Sequence, residues 1–241
     1  MKTLLILGSK PEPVLPPPGS YQAVACANGS GHSAAARGLP RPVFTVMTPL
    51  IACDIDSGRQ TLEALRGLST GTVYLLRSRR EGPRGLARLV YLLRTVRRKS
   101  ILRTHPRNVG RKLRSVSYLH DRLIPIRPDE YDTLVERLCD HEPGTIAQLR
   151  RKPTSTGVTG LAIAIDQKRY DRYILSGFSF ELTHSYAVNP VIRRRGTRVS
   201  SHAETDARVI ACLARRMGNI FTTEDAVHER ANVPFLPGWI G

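Results

Sequence analysis

The sequence predicts an α/β fold, with a Rossmann-like, mostly parallel sheet flanked by helices. Two observations support this: short apolar runs typical of buried strands recur along the chain, and segments with helical periodicity separate them. At 241 residues the chain is long enough for one large domain, and we expect a single domain over 1–241. The predicted strands cover residues 4–7, 23–27, 42–47, 72–76, 173–175 and 219–223.

Helical periodicity also continues through the middle of the chain. Leu86, Leu89 and Leu93 recur at helical spacing among many arginines, and a basic helical insertion is expected over about 77–125. This insertion presents either a face for an anionic surface or an ordinary solvated helix face. The other predicted helices cover residues 61–68, 129–138, 144–149, 157–165 and 202–216.

Small and polar residues follow the first two strands. Gly8 and Ser9 come directly after the first strand, and Asn28 and Gly29 directly after the second. The carboxyl ends of parallel strands share one edge of the sheet, where ligands of such folds collect. These four residues are therefore candidates for a binding site, although plain turns between a strand and a helix would also explain them.

A Pro-Thr-Ser-Thr-Gly sequence at 153–157 precedes an apolar helical run. Ser155, Thr156 and Gly157 are placed where the first backbone N–H groups of the helix are unpaired and the helix dipole is positive. Such a turn suits a carboxylate or a phosphate. An ordinary helix cap has the same sequence pattern.

Two histidines follow this turn. The strand after the helix ends at Gly177 and Phe178, and His184 and His202 come next along the chain. A small-residue turn for an anion with two histidines after it indicates transfer of an anionic group. Each histidine also has a purely structural interpretation, as a core residue or a neighbour of a helix cap.

The charge of the chain is strongly positive. There are 37 Lys and Arg residues against 20 Asp and Glu, which gives a formal net charge of +17. This balance favours anionic partners, which include nucleic acid, anionic lipid and anionic sugars or nucleotides.

The four cysteines are far apart, and their spacing fits neither a zinc site nor a dense disulfide framework. Asp54 and Asp56 form an Asp-x-Asp triplet, a pattern that holds Mg²⁺ or Mn²⁺ in some enzymes, but we expect no metal here. Reduced thiols and the absence of an apolar run of about 18 residues predict a cytoplasmic protein, with peripheral membrane binding as an option.

These segments, in this order, resemble the motifs of the animal-type sialyltransferase family. The resemblance covers 4–47 loosely and 153–210 more fully, and the middle of the chain does not match. The cysteine pair that links the family's two main motifs has no counterpart, nor does a Golgi anchor, so the resemblance implies a bacterial relative. The matching pieces are residues 6–9 with 27–28, 153–157 with 176–178, 184–186, and 202–206.

The resemblance implies an inverting glycosyltransferase with a GT-A-variant fold that needs no metal or other cofactor and uses CMP-activated sialic acid. His202 would be the general base for the acceptor hydroxyl, a task that suits an imidazole. His184, with support from Tyr186, would bind the CMP phosphate. The substrate-binding residues expected from the motifs are Gly8, Ser9, Asn28, Gly29, Ser155, Thr156, Gly157, Gly177, Phe178 and Tyr186.

Several alternatives remain open from the sequence. CMP-Kdo shares the carboxylate and the leaving group of CMP-sialic acid, so either donor fits, and the acceptor would be a glycan or glycolipid of a bacterial surface polysaccharide. The basic middle would then dock on an anionic membrane surface. A nucleic-acid-binding protein, another nucleotide-handling enzyme and a non-catalytic scaffold are the competing classes, although only 6% of residues are aromatic and no GxxxxGK[ST] loop is present.

Overall fold

The computed structural model describes residues 1–53, 55–77, 104–182 and 199–239. Its centre is a seven-stranded sheet in the order β5-β4-β3-β2-β1-β6-β7, and every neighbouring pair of strands is parallel. The predicted Rossmann-like parallel sheet is confirmed. The strands are β1 (Thr3–Leu7), β2 (Ala23–Ala27), β3 (Phe44–Met47), β4 (Ser69–Leu76), β5 (Leu119–Ile126), β6 (Arg172–Ser176) and β7 (Ile220–Thr222).

Helices cover both faces of this sheet. Within the described ranges, no helix is long and apolar enough to cross a membrane. The α-helices are α1 (Gly31–Ala36), α2 (Asp56–Ala64), α3 (Pro106–Ser115), α4 (Pro128–Leu138), α5 (Pro143–Arg151), α6 (Thr156–Asp166), α7 (Ala203–Met217) and α8 (Asp225–Ala231).

Alternate residues of the central strand β1 enter different cores. Leu4 and Ile6 pack in the cluster that contains residues of α4, α6 and α7, whereas Leu5 and Leu7 pack in the cluster on the opposite face. All five residues of β1 are buried, because a central strand of a parallel sheet has helices on both sides. The helix α6 is buried from Gly157 through Ile165, which explains its continuous apolar sequence.

The predicted basic helical insertion over about 77–125 is described only in part. Residues 78–103 lie outside the described ranges. The remainder forms α3 and then β5, which is the edge strand of the main sheet. The sequence of β5 alternates poorly and contains Pro125, since one side of an edge strand needs no N–H donors for a neighbour.

The order of the strands reverses at β1, which lies between β2 and β6. Helical connections therefore diverge there and leave a crevice at the carboxyl ends of the two strands. The backbone closes the bottom of this crevice, where the Gly8 N–H donates to the Ser176 carbonyl at 2.8 Å. A Cβ atom on Gly8 would lie 2.3 Å from the carbonyl oxygen of Gly177.

Gly8→Ala should destabilise the fold by about 1–3 kcal/mol, because the added methyl group meets backbone that has no room to move. Unfolding in urea measures this loss. Gly31→Ala is the control, since its Cβ would make an ordinary contact at 3.6 Å with Leu65. Equal free energies of unfolding for the two variants would contradict the close approach of the two strands.

Candidate active site

A small cleft lies at the carboxyl edge of the sheet, between the ends of β1 and β6 and the N-terminus of α6. Residues from separate predicted motifs meet in it, and Gly8, Ser9, Gly177 and Phe178 are among them. The cleft lies at the reversal point of the sheet. Its described lining is Gly8, Ser9, Ala27, Ser155, Thr156, Gly157, Gly177, Phe178, Ser179, Phe180, Glu181, Ser200 and Asp206.

The N-terminus of α6 forms one wall of the cleft. Ser155 is its N-cap residue, and the Ser155 hydroxyl accepts a long hydrogen bond of 3.5 Å from the Val158 N–H. Thr156 and Gly157 belong to the first turn and line the cleft. Since backbone N–H groups of a first turn have no partner within the helix, this wall is electropositive without any charged side chain.

Phe178 and Gly177 form the wall that meets the first turn of α6. Gly177 has a positive φ of 73°, a conformation that glycine adopts without strain. A Cβ atom on Gly157 would lie 2.8 Å from the Phe178 ring, so the ring packs directly on the first turn of α6. The two predicted segments, 153–157 and 176–178, are therefore in contact.

Asn28 connects three elements next to the cleft. It adopts a left-handed conformation with φ of 49°, and its Nδ2 donates to the Thr156 hydroxyl at 2.7 Å. Its Oδ1 accepts from the Thr48 N–H at 3.0 Å. Asn28 therefore holds the ends of β2 and β3 against α6. Gly29 is buried in the turn behind it, and neither residue belongs to the described lining.

Glu224 is an organising residue that no sequence pattern predicts. Its carboxylate is buried, and one oxygen accepts from the N–H groups of Gly177 at 2.7 Å and Val14 at 2.8 Å. The other oxygen accepts from Lys10 Nζ at 2.5 Å. Thus one side chain fixes the end of β6 and the loop that follows β1. A single acidic residue after a short strand does not reveal in the sequence that its side chain is buried and accepts backbone hydrogen bonds.

His202 lies at the start of α7 and is half-buried, and it does not belong to the described lining of the cleft, although Ser200 and Asp206 on either side of it in the sequence do. Its Nδ1 is 2.7 Å from the carbonyl oxygen of Pro153. A carbonyl can only accept, so Nδ1 carries the proton and Nε2 of the neutral ring is a proton acceptor. Burial lowers the pKa of His202, while the bond to Pro153 opposes this effect.

Asp206 is one helical turn after His202 and closes the back of the cleft. Its side chain is buried, and Oδ1 accepts from the Ser155 N–H at 2.8 Å. Burial raises the pKa of Asp206 to about 7, against the lowering effect of its hydrogen bonds with Ser155. The carboxyl group that the sequence placed after the last histidine therefore contacts the predicted anion turn.

No protein-family model matches the sequence, and no curated protein matches it either. Solved structures do match. A single-residue variant of the sialyltransferase CstII in complex with CMP aligns with 98% of this chain and 87% of its own, at 13% identity and a TM-score of 0.53. CstII with a trisaccharide acceptor and CMP aligns over 96% and 86%, at 12% identity and a TM-score of 0.51. CstII from Campylobacter jejuni with cytidine-5'-monophosphate aligns over 98% and 86%, at 12% identity and a TM-score of 0.50.

The chain has a sialyltransferase fold. The resemblance that the motifs predicted is thus confirmed at the level of the fold, and the alignment covers 98% of the chain. At 12–13% identity the comparison shows the architecture, while the roles of individual residues stay predictions.

Several predicted residues of this sialyltransferase fold are not described. His184 and Tyr186 fall within 183–198, and Asp54 also lies outside the described ranges. Asp56 forms an exposed ion pair with Arg59 at 2.7 Å. Among the described residues, no group of three or more His, Cys, Asp or Glu side chains could hold a metal ion.

The ends of the segment that carries His184 meet beside the cleft. Glu181 and Val199 form an antiparallel bridge, and the Ser200 N–H donates to the Phe180 carbonyl at 2.9 Å. Phe180 has a positive φ of 55° and is buried. The segment 183–198 therefore leaves and rejoins the described structure at the rim of the cleft.

A larger groove of about 720 Å³ adjoins the cleft at Ser200 and runs along α7. Its described lining includes Glu204 and two arginines, Arg208 and Arg230. The Arg208 guanidinium lies against Gly144 of α5, where a Cβ atom would approach it to 2.7 Å. The Arg230 guanidinium lies 5.7 Å from the centre of the Phe180 ring. No ion pair involving either arginine is seen among the described residues.

Glu224→Ala should lower the free energy of unfolding by about 3 kcal/mol, because two buried N–H groups and an ammonium group lose their acceptor. Glu224→Gln keeps one oxygen that accepts from the N–H groups, so its free energy of unfolding should fall by less. Urea unfolding measures both variants. Glu204→Ala, at an exposed position, should stay within about 0.5 kcal/mol of the wild type. If Glu224→Ala changes the free energy of unfolding as little as Glu204→Ala does, Glu224 does not organise the site.

Proposed function

We propose that this protein is a glycosyltransferase that moves a 2-keto-3-deoxy acid sugar from a CMP-activated donor to a glycan or glycolipid hydroxyl. The observation that supports this most directly is the cleft at the sheet reversal, where the N-terminus of α6 lies near an imidazole whose Nε2 can accept a proton. The matching sialyltransferase structures contain CMP, and one also contains a trisaccharide acceptor.

The donor would bind with its anionic groups at the first turn of α6. Thr156 and Gly157 offer backbone N–H groups for the sugar carboxylate or the phosphate, and Gly8 and Gly177 let the ligand approach the backbone. Asn28 positions Thr156 and lies towards the nucleoside side of the cleft in this proposal. Sialic acid and Kdo both carry a carboxylate at the anomeric carbon, and the turn fits both.

The reaction would invert the anomeric carbon in one displacement. The acceptor oxygen forms a bond to that carbon as the bond to the CMP phosphate oxygen breaks, through a transition state resembling an oxocarbenium ion. His202 Nε2 takes the hydroxyl proton, and CMP leaves with the bonding electron pair. His184 and Tyr186 would donate hydrogen bonds to the departing phosphate.

The same proposal requires no metal. The leaving group is a monophosphate ester, so the enzyme meets no diphosphate for a divalent cation to bridge. Negative charge on the departing phosphate would be stabilised by the α6 N–H groups and His184. Activity in excess EDTA should equal activity in magnesium.

The groove along α7 is the proposed acceptor side. It meets the cleft at Ser200, two residues before His202, which would bring an acceptor in the groove close to the proposed base. Arg208 and Arg230 would favour acceptors that carry negative charge. The net charge of +17 supports action at an anionic membrane surface, in the synthesis of a bacterial surface polysaccharide on the cytoplasmic side.

Titration of the purified protein with CMP, followed by thermal unfolding without added metal, tests the donor class. CMP should raise the melting temperature, and UMP and GMP should not, since a ligand that binds only the folded state stabilises it. Equal shifts with all three nucleotides would point to unspecific phosphate binding. No shift with any nucleotide would favour the nucleic-acid-binding or scaffold alternatives.

His202→Ala should reduce transfer from the CMP donor by about 10²–10⁴-fold while CMP still binds, because only the proton acceptor is removed. In the wild type, the rate at saturating substrates should rise with pH and level off above a pKa below 6.5, since burial lowers the pKa of His202. His120→Ala, on the edge strand β5, is the control. An unchanged rate in His202→Ala would refute the assignment of the base.

A further inference from the structure

The carboxyl group of Asp206 is buried beside a turn that is suited to an anion. Its exposure is 6%, it belongs to the lining of the cleft, and Oδ1 accepts the N–H of Ser155 at 2.8 Å. No cation pairs with it among the described residues. A buried carboxylate without a cationic partner is costly, so its protonation state responds to small changes nearby.

Few ionisable groups surround Asp206 in the part of the chain that the structure describes. His202 is one turn earlier on α7, and Lys152 precedes the turn that leads into α6 and acts on His202. On the opposite wall of the cleft, Glu181 adds a second carboxylate. The first turn of α6 and the end of β1 contribute only hydroxyl groups and backbone. No lysine or arginine is found in the described lining.

An anion at the first turn of α6 would occupy the same small cleft as this carboxyl group. Ser155, which Asp206 contacts, is directly followed by Thr156 and Gly157, whose N–H groups would hold the anion. Two negative charges at hydrogen-bonding distances from one turn repel each other strongly in a desolvated cleft. A proton on Asp206 removes the repulsion and leaves its hydrogen bond from Ser155 in place.

We propose that Asp206 takes up a proton when an anionic group binds at the N-terminus of α6, so that donor binding is coupled to proton uptake. This inference rests on the proposed function for the identity of the donor. Asp206 is then a positioning residue that sets the pH range of binding through the α6 turn. The proton comes from solvent and returns to it when the anion leaves.

The pKa of Asp206 in the free protein determines how anion affinity changes with pH. Burial raises the pKa of Asp206 to about 7, so the carboxyl group is near half ionised at neutral pH. A bound anion raises this pKa further. Anion affinity is therefore greatest below pH 7 and falls as the pH rises through the pKa of the free protein, by up to tenfold per pH unit.

Carbon-13 NMR of aspartate-labelled protein measures this titration directly, and the Asp206→Asn spectrum assigns the Asp206 signal. Spectra are recorded over pH 5–9 in the free protein, with sulfate and with CMP. Sulfate keeps its charge over this range, and CMP does so above pH 7. Each anion should move the midpoint for Asp206 upwards by about one pH unit or more.

CMP affinity from calorimetry provides the second measurement. Between pH 7 and 9 the affinity of the wild type should fall at least about fivefold, with protons taken up on binding. Asp206→Asn should change less than twofold, because its amide oxygen still accepts from Ser155 but cannot ionise. Glu229→Gln, which removes an exposed carboxylate on α8 outside the cleft and the groove, should keep the wild-type slope.

The outcomes separate this inference from the proposed function. If CMP binds with the same affinity from pH 7 to 9, or if Asp206→Asn retains the slope, the inference is wrong and the function stands. If sulfate moves the Asp206 midpoint but CMP does not bind, the proposed function is wrong and the coupling stands. If neither anion moves the midpoint, the coupling is wrong.

Discussion

The buried carboxylate of Glu224 holds the candidate site together from behind. It accepts hydrogen bonds from the N–H groups of Gly177 and Val14, and it forms an ion pair with Lys10. The end of β6 and the loop after β1 are thus both attached to one side chain. The left-handed turn at Gly177 exposes an N–H that only an acceptor at this place could satisfy. Without it, the two strand ends that form the floor of the cleft would lose their common anchor.

The electrostatics of the cleft contrast with those of the chain. The net charge is +17, yet the ionisable side chains in the described lining are Asp206 and Glu181. Among the described residues, attraction for an anion would therefore come from oriented backbone N–H groups rather than from lysine or arginine. Oriented dipoles bind a specific geometry and are less sensitive to salt than surface charges are. The proposed selectivity for one nucleotide fits this arrangement better than general polyanion binding does.

Much of the fold could be predicted because burial leaves a clear pattern. The strand Ala23–Ala27 and the helix after Ser155 are apolar throughout, and their bounds agree with the prediction to within a residue or two. The edge strand β5 was missed because it is half exposed and contains Pro125. The short helix α8 also gave too little periodicity to be recognised.

Site residues at strand ends and helix caps could be predicted from the local sequence. Site residues that reach the cleft from distant parts of the chain could not. Gly8 and Ser155 carry local signals, since strand ends and helix caps have preferred residues. Glu224 is 47 residues from Gly177 and has no such signal. Asn28 was predicted as a ligand residue, and the structure shows that both ends of its amide already have protein partners.

The bridge between Glu181 and Val199 separates the segment between these residues from the described sheet. Because the bridge closes the chain on itself, the segment between these residues can change in length at a small cost in loop-closure entropy. The seven described strands and their pairings all lie outside it. Exchange of the segment would leave the described sheet intact, so these two positions are natural junctions for grafting segments between related proteins.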